Sequence, residues 1–94
     1  MATFSLTSRA FDDLEEIAEF IRRDKPQAAD RLLERFDEKF ALLATSPAVG
    51  DPRLEFGDGI RSATVGRFVI FYREETYGVL ILRVLAGERD VKRL

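Results

Sequence analysis

Arginine is the residue with the greatest chemical capacity in this sequence. The chain holds twelve arginines against three lysines, with no histidine and no cysteine. Arginine's planar fork of donors suits bidentate recognition of carboxylate or phosphate and stacks on aromatic faces. It is a poor general base, because its pKa lies above about 12. Without histidine there is no imidazole base and little scope for a transition-metal site. Without cysteine there is no thiol nucleophile, thiolate metal site or disulfide. Tyr72 and Tyr77 are the remaining neutral groups able to pass a proton.

Arg89 lies in Gly87-Glu88-Arg89-Asp90, directly after the apolar run Gly78 to Ala86. Such a strand exit leaves an arginine at an exposed edge. Arg89, Asp90, Lys92 and Arg93 are therefore candidates for contacting a target. The competing readings are an internal Arg89–Asp90 ion pair and a solvated tail. Arg61, in Gly59-Ile60-Arg61-Ser62, either anchors a buried carboxylate or touches a target. Arg83 interrupts an apolar strand, so it faces solvent, pairs across strands or meets a partner. Gly57-Asp58-Gly59 leads into a strand, not a helix N-terminus, and is not a phosphate loop. No metal site and no cofactor is expected.

Ninety-four residues make one domain, 1–94, and 46% apolar content fits a globular fold. The net charge of −2 divides unevenly. Residues 1–46 carry seven basic and ten acidic side chains, and residues 47–94 carry eight and seven. That balance does not describe a general nucleic-acid binder. No run is long enough to span a membrane and no signal peptide is legible, so a cytoplasmic location is expected.

These side chains must be held by a small set of elements. Thr3 to Thr7 alternates like a half-buried strand. Phe11, Leu14, Ile17, Ala18 and Ile21 recur at helical spacing, predicting a helix over about 10–23 with acids early and Arg22-Arg23 late. Asp24-Lys25-Pro26 breaks it and opens a second helix, whose seam is Ala29, Leu33, Phe36, Phe40 and Leu43 and whose end is Thr45-Ser46-Pro47. Residues 47–59 form a loop. Three strands follow over 60–66, 67–74 and 78–86, joined by tight turns that force antiparallel pairing. The fold class is α+β, ordered β-α-α-β-β-β, with a helical hairpin on one face of a small antiparallel sheet. Phe20 falls off the first helix's stripe, and Leu32 and Leu42 fall beside the second helix's seam. Together they predict an apolar flank on which a partner helix can lie, unless a wide core stripe absorbs them. A sheet edge offers a second docking mode.

This order, with particular residues in it, resembles the ParE branch of the ParE/RelE toxins of toxin–antitoxin pairs. The resemblance rests on Ala10-Phe11-Asp12-Asp13-Leu14-Glu15-Glu16-Ile17, Gly59-Ile60-Arg61-Ser62, Val65 through Arg73, and Ile81 through Asp90. It spans essentially the whole chain. It implies a toxin held inactive by a ParD-like antitoxin in a hetero-oligomer, with Phe20, Leu32, Leu42 and Arg83 as candidate antitoxin contacts. It also implies DNA gyrase as target, for which Arg61, Arg89, Asp90, Lys92 and Arg93 are candidate contacts, without sequence-specific nucleic-acid binding by the toxin alone.

The alternative within the superfamily is a RelE-like ribosome-dependent mRNA endoribonuclease. Cleavage through the 2′-hydroxyl needs a proton acceptor, a proton donor and positive charge on the phosphate. Arg61 and Arg89 sit where two arginines of such an enzyme would. The stretch Leu54 to Gly59 is acidic where those nucleases carry lysines, and neither Tyr nor His follows Arg89. The expectation is a protein-binding toxin with no catalytic residues. A degenerate, non-toxic antitoxin-binding member is the third reading.

Overall fold

Thr7 sets where the first helix begins. In the computed structural model, which describes residues 1–87, strand β1 (Thr3–Leu6) runs into helix α1 (Ser8–Arg22). Thr7 is extended, and its hydroxyl accepts the Ala10 amide at 3.0 Å. This cap starts α1 two residues before the expected position. The inward stripe is Ala10, Leu14, Ile17, Ala18 and Ile21, an i, i+4, i+7, i+8, i+11 series. Phe11 was expected in it but is 56% exposed, because the fully buried Ala10 holds the inward position.

Helix α2 (Pro26–Thr45) opens with proline in its first turn, where a missing amide hydrogen costs nothing. Its buried side chains are Ala29, Leu32, Phe36, Phe40, Leu43 and Ala44. Leu32 is thus a core residue, 9% exposed, and not the surface contact the sequence suggested. Three residues from Ala29 and four from Phe36, it lies on their stripe, while Leu33 sits half-buried beside it.

The sheet has five strands in the order β1-β5-β4-β3-β2, with β2 at Asp51–Pro52, β3 at Ile60–Val65, β4 at Phe68–Glu75 and β5 at Gly78–Ala86. The meander β3-β4-β5 is antiparallel, as the short turns require. The N-terminal strand makes the sheet mixed: β1 pairs parallel with β5, Thr3 opposite Gly78 and Leu6 opposite Ile81. Gly78 permits this approach. Its φ is +145°, and a Cβ there would overlap the Thr3 carbonyl oxygen. The loop at 47–59 also carries more structure than its composition suggests. It holds two single-turn 3₁₀ helices, at Pro47–Val49 and Leu54–Phe56, and the two-residue strand β2 on β3.

The main core lies between the helices and one sheet face. Phe36, Phe40 and Leu43 meet Ile70, Tyr72, Val79, Ile81 and Val84 there. Phe40 packs against Phe4 at 5.3 Å between ring centroids, and Phe36 against Phe68 at 5.6 Å. On the other face Val69 and Phe71 are buried among Phe56, Ile60, Leu82 and Leu85. Arg53 sits 5.2 Å from the ring centres of both Phe56 and Phe71, and its Nε donates to Glu55 at 3.1 Å.

Candidate functional site

Arg61 and Tyr72, the two groups best placed for proton or phosphate chemistry, hold one loop. They are cross-strand partners on β3 and β4. Arg61 Nη1 donates to the carbonyl oxygens of Gly50 at 2.7 Å and Ala48 at 3.3 Å. The Tyr72 hydroxyl donates to the Pro47 carbonyl at 2.7 Å and accepts the Gly50 amide at 2.9 Å. Burial raises the pKa of the Tyr72 phenol, which keeps it protonated and fit for this role. A Cβ on Gly50 would overlap the Tyr72 hydroxyl, so this close approach needs glycine. Of the two readings open for Arg61, its anchoring partners prove to be backbone carbonyls and not a carboxylate.

Arg83 has an internal partner. The β4–β5 register shifts between Phe71, opposite Arg83, and Tyr72, opposite Ile81, leaving Leu82 as an extra residue in β5. Such a bulge frees backbone groups from the ladder, and α1 satisfies them. The Thr7 hydroxyl donates to the Leu82 carbonyl at 2.8 Å, and the Val84 amide donates to Asp13 Oδ2 at 2.9 Å. Arg83 completes the cluster with Nε to Asp13 Oδ2 at 2.8 Å and Nη2 to Asp13 Oδ1 at 3.1 Å. The hydrogen bonds that Arg83 donates to Asp13 raise its pKa further. Arg83, a candidate partner contact by sequence, is thus half of a partly buried ion pair that fastens α1 to the last strand.

Phe20 and Leu42 are on the surface, 68% and 47% exposed. They do not share a depression. Phe20 lines a groove of about 260 Å³ with Glu16, Ile17, Ile21, Arg67, Phe68 and Ala86, between the second half of α1 and the ends of β4 and β5. Leu42 lines another with Arg35, Glu38, Lys39, Thr64 and Val65, between α2 and β3. The off-stripe position of Phe20 was legible in the sequence. Its neighbours Phe68 and Ala86 were not, because they reach it only through the sheet. Glu15, Glu19 and Arg23 continue the α1 surface beside Phe20, and the Arg67 guanidinium lies 5.3 Å above the Phe68 ring.

Arg89, Asp90, Lys92 and Arg93 lie outside the described residues; β5 brings the chain to Ala86, on the wall of the Phe20 groove. Among the described residues no three His, Cys, Asp or Glu side chains cluster to hold a metal, and no helix is long and apolar enough to cross a membrane.

Residues 4–91 match the model of a family described as the ParE toxin of the type II toxin–antitoxin system parDE. Among solved structures, the chain is similar to the chromosomal ParDE toxin–antitoxin system of P. aeruginosa. That match has a TM-score of 0.77 and 22% identity over 94% of this chain and 98% of the other. It is also similar to the RelBE2 toxin–antitoxin complex of Mycobacterium tuberculosis, with a TM-score of 0.61 and 30% identity over 90% and 96% of the two chains. No curated protein matches.

Proposed function

Because this chain belongs to the ParE toxin family of type II toxin–antitoxin systems, we propose that it inhibits DNA gyrase by protein–protein contact and is neutralised by a ParD-like antitoxin. The observation carrying the non-catalytic part is the state of Arg61 and Tyr72. Both spend hydrogen bonds on the backbone of residues 47–50, and a phenol held protonated by burial cannot serve as a base near neutral pH. Arginine does not replace it in that role. Target contact then falls to the C-terminal Arg89, Asp90, Lys92 and Arg93, with the remaining donors of Arg61 as a further candidate. Phe20 and Leu42 are the antitoxin contacts this reading retains.

Purified chain added to gyrase and relaxed plasmid should block supercoiling or accumulate cleaved DNA. Gyrase that works normally at saturating chain overturns the reading. The RelE-like endoribonuclease is the second reading, favoured by the likeness to the RelBE2 complex. Toeprinting on translating ribosomes separates the two: A-site cuts support the nuclease, and uncut message at toxic doses removes it.

A further inference from the structure

The sheet face turned away from the helices is covered at one place by a short excursion of chain. Val69 and Phe71 are buried on that face, although both helices pack on the other. Part of their cover is Phe56, whose ring meets Phe71 edge-on at 5.3 Å between centroids. Phe56 belongs to residues 54–59, which leave the end of β2 and return into β3. The Arg53 amide donates to the Ile60 carbonyl at 2.8 Å and closes the base of this excursion. Above the base the backbone is self-contained. The Phe56 amide donates to Arg53 at 3.0 Å, Gly57 to Leu54 at 3.2 Å and Ile60 to Gly57 at 3.4 Å. Among the described residues, 54–59 make no hydrogen bond beyond 53–60. Leu54, Glu55, Asp58 and Gly59 are exposed, so Phe56 is the side chain by which the excursion grips the sheet.

Arg53 is the latch. Its guanidinium lies 5.2 Å from the ring centres of both Phe56 and Phe71. Its Nε donates to Glu55 on the excursion, and its Nη1 to Ser62 Oγ on β3 at 3.2 Å. One side chain thus joins the excursion to the sheet, through an ion pair and stacking contacts that are individually weak. On the return, Gly57 and Gly59 have φ of +134° and +80°, backbone that favours glycine. A segment with one apolar anchor and a self-contained backbone opens far more readily than the sheet beneath it.

We propose that residues 54–59 form a flap that swings off the sheet as a unit about the Arg53–Ile60 base, withdrawing Phe56 and uncovering Phe71 and Ser62 while the helices and sheet stay folded. The flap gates an apolar patch on the face the helices leave bare.

The chain has no cysteine, so a single introduced thiol reports only on its own site. Ser62 is buried and bonded to Arg53, whereas Val79 is buried between sheet and helices. In the full chain, S62C should react with N-ethylmaleimide at least about a hundredfold faster than V79C, which waits for global unfolding. Low urea should speed V79C but barely change S62C, since flap opening exposes little surface. I70V weakens the helix-side core, so it should speed V79C by about two- to tenfold and leave S62C unchanged. F56A should speed S62C by about tenfold or more. G59A, whose added Cβ meets nothing within 4 Å, should speed it by about fivefold through backbone strain alone. A thiol accepts hydrogen bonds weakly, so hydrogen exchange of the unsubstituted chain supplies a second reading. The Phe56 and Gly57 amides should exchange at urea-independent rates, and the Ile70 amide, in the central strand β4, at a urea-dependent one. Equal labelling of S62C and V79C overturns the inference, as does an S62C rate that follows I70V or ignores F56A. A common, urea-dependent exchange of the three amides does so too. None of these measurements depends on gyrase inhibition.

Discussion

Replacing Asp13 with alanine tests how α1 is fastened to the sheet. The substitution removes both hydrogen bonds to Arg83 and the side-chain acceptor of the Val84 amide. The Asp13 and Arg83 side chains are 12% and 20% exposed. Removing one partner of a fully buried pair costs about 3–5 kcal/mol, because the other charge is left uncompensated. Here Arg83 can turn partly toward water, which lowers its share to about 1–3 kcal/mol, and the unpaired Val84 amide adds about 1 kcal/mol. The sum, roughly 2–4 kcal/mol, is a large part of the roughly 5–15 kcal/mol that holds a domain folded. With a urea m-value of about 1.5 kcal/mol/M, the unfolding midpoint followed by circular dichroism falls by roughly 1.3–2.7 M. R83A should cost less, since Asp13 still receives the Val84 amide. The double-mutant cycle should show coupling of at least about 1 kcal/mol. A D13A midpoint within about 0.3 M of the parent, or strict additivity of the two changes, refutes the account of the clamp.

Two further outcomes follow from burial. L32A should lose about 2–4 kcal/mol as a core truncation, whereas L42A should stay within about 0.5 kcal/mol of the parent, both read from denaturation midpoints. For Tyr72, the folded-state pKa is raised by burial, so its neutral form is the one the fold favours. Its contribution is complete below the unfolded value near about 10 and is lost as pH rises through the higher folded value. The parent should therefore lose stability above about pH 10 more steeply than Y72F. At neutral pH Y72F should be less stable by about 1–3 kcal/mol, because the Gly50 amide and Pro47 carbonyl lose their partner. Parallel pH profiles for the two proteins would count against a buried, protonated phenol.

The local elements were legible because their signals are local. The 3.6-residue stripes, Pro26, and the turns at Gly66-Arg67 and before Gly78 mark both helices and the meander. The parallel seating of β1 on β5 was not legible, since nothing near Thr3 names Gly78 as its neighbour. Strand β2 was hidden by Pro52, which argues against a strand except at an edge, where it in fact lies. The choice of Leu32 over Leu33 turns on one helical position, within the tolerance of a stripe read without its partner surface. Arg83 was legible as an interruption of an apolar strand. The bulge at Leu82 and the carboxylate waiting on α1 are properties of the assembled sheet.

The central position of β5 also bears on when this fold can exist. It hydrogen-bonds to β1 on one side and β4 on the other, and it contributes Val79, Ile81 and Val84 to the wall facing the helices. Among the described elements it is also the last to be synthesised. A nascent chain carrying residues 1–77 holds both helices and the hairpin β3-β4, yet lacks the strand that joins β1 to the rest. Such contacts between distant parts of a sequence form late, after the loop between them has closed. Every growing copy thus remains without its assembled sheet until β5 itself has been synthesised.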